Sequence, residues 1–174
     1  GPDETIQANL FKAKYLSVGE SLKTAQIPVK PVAFTGDPRR DFGGEGIAYG
    51  PDNARVSSWA ATDGDRLILA WQVADATPWV NGASSFESAY AKGDTVDFQL
   101  GLDPEADPKR GEAVKGDLRL SIAPVAGKDT AILYRRVSDE KAPQTFYSGV
   151  WSGGYTMEYV RPIEGAEITV TKSP

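Results

Sequence analysis

Residues 93–103, "GDTVDFQLGLD" (Gly93–Asp103), decide the fold class. Val96, Phe98, Leu100 and Leu102 alternate with Thr95, Asp97, Gln99, Gly101 and Asp103. A period of two puts successive side chains on opposite faces of an extended chain, so the stretch predicts a strand with one buried apolar face and one wet face. Asp97 and Gln99 fall on the wet face. The same alternation recurs in "DLRLSIAPV" (Asp117–Val125), where Leu118, Leu120 and Ile122 interleave with Asp117, Arg119 and Ser121. If the polar loop Asp103–Gly116 makes these strands antiparallel neighbours, facing side chains stand about 5 Å apart. Asp97 and Gln99 then lie beside Arg119 and Ser121, with Tyr134 or Arg135 from the next strand.

Upstream, "RVSSWAATDGDRLILAWQVAD" predicts a hairpin: Val56–Ala61, a turn at Thr62–Asp65 carrying the Asp-Gly signal, and Leu67–Ala74. The second of these strands is apolar on both faces, which predicts a place in the middle of a sandwich. "LFKAKYLSVG" (residues 10–19) fits a helix or an extended strand, "IPVKPVAF" (27–34) an edge strand, and the Gly-, Pro- and Asp-rich residues Thr35–Arg55 a loop. Ser85–Tyr90 fits one capped helical turn within the long connection Asp75–Lys92. Downstream, "TAILYRRV" (130–137) and "AEITVT" (166–171) add further strands on either side of a Gly- and aromatic-rich segment, "TFYSGVWSGGY" (145–155). The expected fold is all-β, an antiparallel β-sandwich of about seven to ten short strands, immunoglobulin- or jelly-roll-like. A chain of 174 residues fits a single domain, with 1–55 as its N-terminal edge strands and Gly/Pro-rich loop and 56–174 as the sandwich core.

Composition narrows the function classes. Hydrophobic residues make up 40% and charged residues 25%, in the globular range rather than the disordered one. The net charge of −5 disfavours nucleic acid and anionic membranes, both of which are bound through clustered Lys and Arg. Arg39–Arg40 and Arg135–Arg136 read as solvated surface. Without cysteine or histidine there is no disulfide framework, no thiolate or imidazole zinc site and no His-dependent triad. Asp94 and Asp97 are three apart on an extended chain and point to opposite faces, so they form no catalytic pair, and no enzyme activity is expected. "DGD" (Asp63–Asp65) and "DPEAD" (Asp103–Asp107) cluster oxygens that calcium favours, yet neither has full calcium-loop spacing, so solvated turns are the plainer reading and no metal ligand is assigned.

The expected grouping of Asp97, Gln99, Arg119 and Ser121 combines a carboxylate, an amide, a guanidinium and a hydroxyl, the groups that hydrogen-bond vicinal sugar hydroxyls. As a plain cross-strand ion pair it would be worth about 0–1 kcal/mol. Trp79, Phe86 and Tyr90 precede the strand in the long connection, where aromatic faces can stack on a pyranose ring or close the end of the core.

The order "RLILAWQVAD", a loop of the form D-x-T-P-x-x-N (Asp75, Thr77, Pro78, Asn81), "GDTVDFQLGLD" and "DLRLSI" resembles the family 9 carbohydrate-binding modules and the related DOMON-like sandwich domains of secreted or periplasmic bacterial proteins. The resemblance covers Val56–Tyr134. It implies that Asp97 and Arg119 hydrogen-bond a sugar and that Tyr90 or Trp79 forms one aromatic wall, with Gln99 beside them. Such domains continue past an "AEITVT"-like segment with further strands and a second aromatic wall, which this chain, ending at Pro174, is expected to lack. Haem-binding relatives ligate iron through methionine and histidine or lysine; with no histidine and one methionine, Met157, no haem or other cofactor is expected. The resemblance thus implies a non-catalytic, extracellular or periplasmic carbohydrate-binding module. The alternative is a structural subunit whose open sandwich is completed by a strand from another polypeptide.

Overall fold

The structure is a computed structural model and describes residues 29–50, 55–107, 109–140, 144–147 and 154–172. "LFKAKYLSVG" lies outside the described residues. Antiparallel strands dominate, with two short helical turns, so the fold class is all-β and sandwich-like as the alternation predicts. Two compact units are distinguished, one drawn from Asn9–Pro78 and the other including Trp79–Pro174.

In the first unit the Asp-Gly turn closes the predicted hairpin. β1 (Ile47–Tyr49), β2 (Val56–Asp63) and β3 (Arg66–Val73) form a sheet in that order, with Asp63 opposite Arg66 across a two-residue loop. Gly64 takes a φ of 62° there, a left-handed conformation that glycine adopts without strain. Trp59, Ala61 and Ile68 share one face and pack with Phe42. Phe42 comes from α1 (Pro38–Phe42), which starts because Asp37 caps the Arg39 amide at 3.1 Å and Pro38 presets the first turn, and stops at Gly43. The indole of Trp59 donates to the Gly44 carbonyl at 2.9 Å.

Two expectations need correction in this unit. β3 is an edge strand among the described residues, not a central one, and its Leu67 and Val73 are exposed. Apolar residues on both faces report what lies above and below a strand, not what pairs with it laterally through the backbone. The described part of "IPVKPVAF" makes only a bridge, in which the Lys30 amide donates to the Thr62 carbonyl at 3.0 Å. Pro31 has no N–H with which to extend it.

The second unit is built on a four-stranded antiparallel sheet in the order β4 (Val96–Gly101), β5 (Asp117–Val125), β6 (Lys128–Arg135), β9 (Tyr159–Pro162). Between β6 and β9 lies a two-stranded ribbon of β7 (Gln144–Tyr147) and β8 (Gly154–Met157). β5 and β6 meet at Ala126–Gly127, both at positive φ (49° and 80°), the backbone a tight hairpin of right-handed twist requires. β4 and β5 pair as the alternation predicts, Asp97 opposite Ser121 and Gln99 opposite Arg119.

Burial inverts the predicted faces. The face carrying Asp97, Arg119 and Ser121 continues through Ala123, Ile132, Tyr134 and Val160, and it is the buried one. A 3-10 helix (Phe86–Ala91) explains this: its Ala89 is fully buried, and Phe86 and Tyr90 pack against Ala123, Ile132, Tyr134 and Val160. The apolar face with Val96, Phe98, Leu100, Leu118, Leu120 and Ile122 is only half-buried. The last described strand is Tyr159–Pro162; "AEITVT", expected as a strand, has no regular structure. The Ile163 amide makes a last ladder bond to Ala131 at 2.8 Å, and a turn at Glu164–Gly165 then takes the chain off β6.

Candidate functional site

Asp97 and Arg119 form the polar centre of the buried face. The Leu102 amide bonds the Gly116 carbonyl at 3.1 Å, and counting back along the register makes Gln99–Arg119 and Asp97–Ser121 the non-hydrogen-bonded pairs, whose side chains stand closest. Arg119 grips Asp97 with two parallel bonds, Nε to Oδ1 at 3.0 Å and Nη2 to Oδ2 at 2.6 Å. The hydroxyl of the fully buried Ser121 also donates to Asp97 Oδ1. The Arg119 guanidinium lies over the Tyr134 ring at 5.6 Å. Tyr134 is 2% exposed and its hydroxyl donates to the Phe86 carbonyl at 3.3 Å, tying the sheet to the 3-10 helix.

Electrostatics hold this group in one protonation state. Burial works to lower the Arg119 pKa, but the Asp97 charge and hydrogen bonds, helped by Tyr134 and Tyr90, raise it above the ordinary arginine value. Burial pushes the Tyr134 phenol well above its usual range, against the opposing pull of Arg119. Asp97 and Arg119 side chains are only 13% and 16% exposed, so the pair is desolvated, and its two-point geometry with Ser121 is what offsets that cost.

One part of the group faces outward. A guanidinium has five N–H donors, and the bonds to Asp97 use two of them. Arg119 Nη1 bonds no described residue, and among those residues no fully buried side-chain nitrogen or oxygen lacks a partner, so Nη1 keeps some access to solvent. Gln99, exposed and directly across the strand pair, stands on the same face. Tyr90 is half-buried and packs against the core cluster that contains Tyr134. The structure therefore brings Asp97, Gln99, Arg119 and Tyr90 together.

Trp79 has a different role. Its indole N–H donates to Asp129 Oδ1 at 2.9 Å. Asp129 precedes Thr130, Ile132 and Tyr134 by odd steps on β6, so it belongs to the opposite sheet face from Asp97. The D-x-T-P-x-x-N loop proves to be a brace. Asp75 accepts from the amide and hydroxyl of Thr77, both at 2.8 Å. Asn81 donates to the carbonyls of Ala89 (2.9 Å) and Asp94 (3.1 Å) and accepts from the Ala83 amide (2.9 Å), while Asp94 accepts from the Val80 amide (2.8 Å). The bonds of Asn81 and Asp94 hold the 3-10 helix over the sheet. The part played by Asn81 and Asp129 was missed from sequence; an Asn flanked by glycine eight residues before a buried alanine was the available signal.

The acidic loops serve their own turns. Asp63 pairs with Arg66 at 2.8 Å, and Asp103 and Asp107 accept from the amides of Glu105 (3.0 Å) and Lys109 (2.8 Å). Arg110 bridges this second loop to β5 through Asp117 at 2.5 Å. No group of three or more carboxylates suited to a metal occurs among the described residues. Comparison with protein family models, with curated proteins and with solved structures finds no match to this chain.

Proposed function

We propose that the protein is a non-catalytic carbohydrate-binding module of an extracellular or periplasmic protein, with the rim of the Asp97–Arg119 pair as its contact point. The observation that carries this reading is Arg119 Nη1, a charged donor that is held rigid by Asp97, Ser121 and the Tyr134 ring yet reaches solvent beside the exposed amide of Gln99. A preorganised guanidinium and an amide side by side can engage neighbouring hydroxyls of one sugar without loss of further rotamer freedom. In this arrangement Arg119 and Gln99 touch the ligand, Asp97 positions Arg119, and Tyr90 lines the edge.

Calorimetric titration with a panel of mono- and oligosaccharides tests the reading. Losing a hydrogen bond to a neutral group costs about 0.5–1.5 kcal/mol, so Gln99→Ala should weaken a binding sugar roughly 2- to 10-fold, and Arg119→Lys, which keeps charge but not the fork, should weaken it more. If no saccharide binds, or if both variants bind like the parent, the proposal fails.

A second reading is favoured by the outer edge of β4, which has no strand partner among the described residues. An exposed strand edge is a template for strand addition, so a partner polypeptide could complete the sheet there. A monomer by light scattering that also captures no strand peptide counts against it.

A further inference from the structure

On the half-buried apolar side of the same sheet, Tyr159 of β9 holds two arginines. The Arg135 guanidinium lies over its ring at 5.0 Å and that of Arg161 at 5.9 Å. Register explains the convergence, since Arg135 is directly opposite Tyr159 and Arg161 is two residues along the same strand. Neither arginine forms an ion pair with a described residue; Arg161 Nη1 bonds the Val160 carbonyl at 2.8 Å. By contrast Arg39 pairs with Glu45, Arg66 with Asp63, Arg110 with Asp117, Arg119 with Asp97 and Arg136 with Glu112.

Two like charges drawn to one ring repel each other, and an anion bound against either guanidinium relieves that repulsion. Beside them is an open depression of about 580 Å³, within the small-ligand range, lined by Leu133, Tyr159, Arg161 and Ile163 with Glu140 and Glu164 at its edge. The Arg161 guanidinium, an aromatic and apolar floor, and two acceptors thus line one space, and Arg135 stands against the ring of the same Tyr159. The mixed charge fits a ligand bearing one carboxylate and several hydroxyls, while the chain's net charge of −5 disfavours long polyanions.

We propose that Arg135, Tyr159 and Arg161 form a second binding site, on the face opposite Asp97, that recognises a uronic acid residue: the arginines take its carboxylate and Glu140 or Glu164 its hydroxyls. The site is independent of Arg119 and Gln99.

Titration followed by NMR or calorimetry, with glucuronate and galacturonate against glucose, galactose and acetate, tests this on the intact chain. The uronates should bind, the neutral sugars at least 10-fold more weakly, and acetate more weakly than either uronate. Arg161→Gln, at an exposed position, should lower uronate affinity several-fold, Arg135→Ala with Arg161→Gln at least 10-fold, and Glu164→Gln about 3-fold. NMR shift changes on adding uronate should centre on Tyr159, Arg161 and Ile163 and not on Gln99, which separates this site from the Asp97 face. Absence of uronate-induced shifts at Tyr159 and Arg161, equal shifts there with neutral sugars or with acetate, or indifference to Arg161→Gln overturns the proposal.

Discussion

At Asp97 one carboxylate accepts three hydrogen bonds from Arg119 and Ser121 in a largely buried site. Removing one member of such a pair leaves the other charged and unpaired, so Asp97→Ala should destabilise the protein by about 3–5 kcal/mol. Gln99→Ala, exposed beside it, should change stability by less than about 0.5 kcal/mol, both read from urea denaturation midpoints. Tyr134 supplies a pH test. Its folded pKa is raised above the unfolded value near 10, because burial disfavours the phenolate. The folded state therefore holds this proton more tightly. Its contribution to stability is fully present below pH ~10 and is lost as pH rises from there towards the folded pKa. Denaturation midpoints measured between pH 8 and 11 should fall at the alkaline end, and more steeply for the parent than for Tyr134→Phe.

At the scale of elements, the 3-10 helix decides which sheet face is buried, and the loop before it decides where the helix sits. Gly93 is the tightest point of that arrangement: its φ is 143°, and a Cβ there would lie 2.6 Å from the Val80 carbonyl oxygen. Gly82, in the same loop, would place a Cβ at an ordinary 3.5 Å from the Lys92 carbonyl oxygen, with no positive φ. Gly93→Ala should therefore cost about 1–3 kcal/mol and Gly82→Ala distinctly less, measured by thermal or urea unfolding. Much of this was legible in the sequence. The hairpin at Asp63–Asp65, the helical turn near Ser85–Tyr90 and the pairing of residues 96–101 with 117–122 all followed from period, turn residues and loop placement. The edge position of β3 was not legible, because lateral pairing uses backbone groups that every residue carries.

At the scale of the molecule, the two units have separate cores, one around Trp59, Ala61, Ile68 and Phe42, the other around Ala123, Ile132, Tyr134 and Val160. Ile132→Ala removes a fully buried side chain and should cost about 2–5 kcal/mol. Because Ile68 shares no packing cluster with Ile132, the losses for Ile68→Ala and Ile132→Ala should add in the double variant to within about 0.5 kcal/mol, by denaturant titration of all four proteins. A larger deviation would mean the two cores are energetically one.

The sequence by itself determined the β2–β3 hairpin and the pairing of β4 with β5, because alternation and turn residues follow from local backbone geometry and the loop between residues 103 and 116 leaves β4 and β5 to pair. It therefore placed Asp97, Gln99, Arg119 and Ser121 on one face. Only the tertiary structure decided that this face is the covered one and that Trp79 is spent on Asp129, 50 residues away in the chain. Period two separates two faces without saying which is buried; that depends on what other segment comes to lie there. Here the segment is Phe86–Ala91, held by Asn81 and Asp94, and it turns an expected open patch into a buried ion pair with one donor left facing solvent.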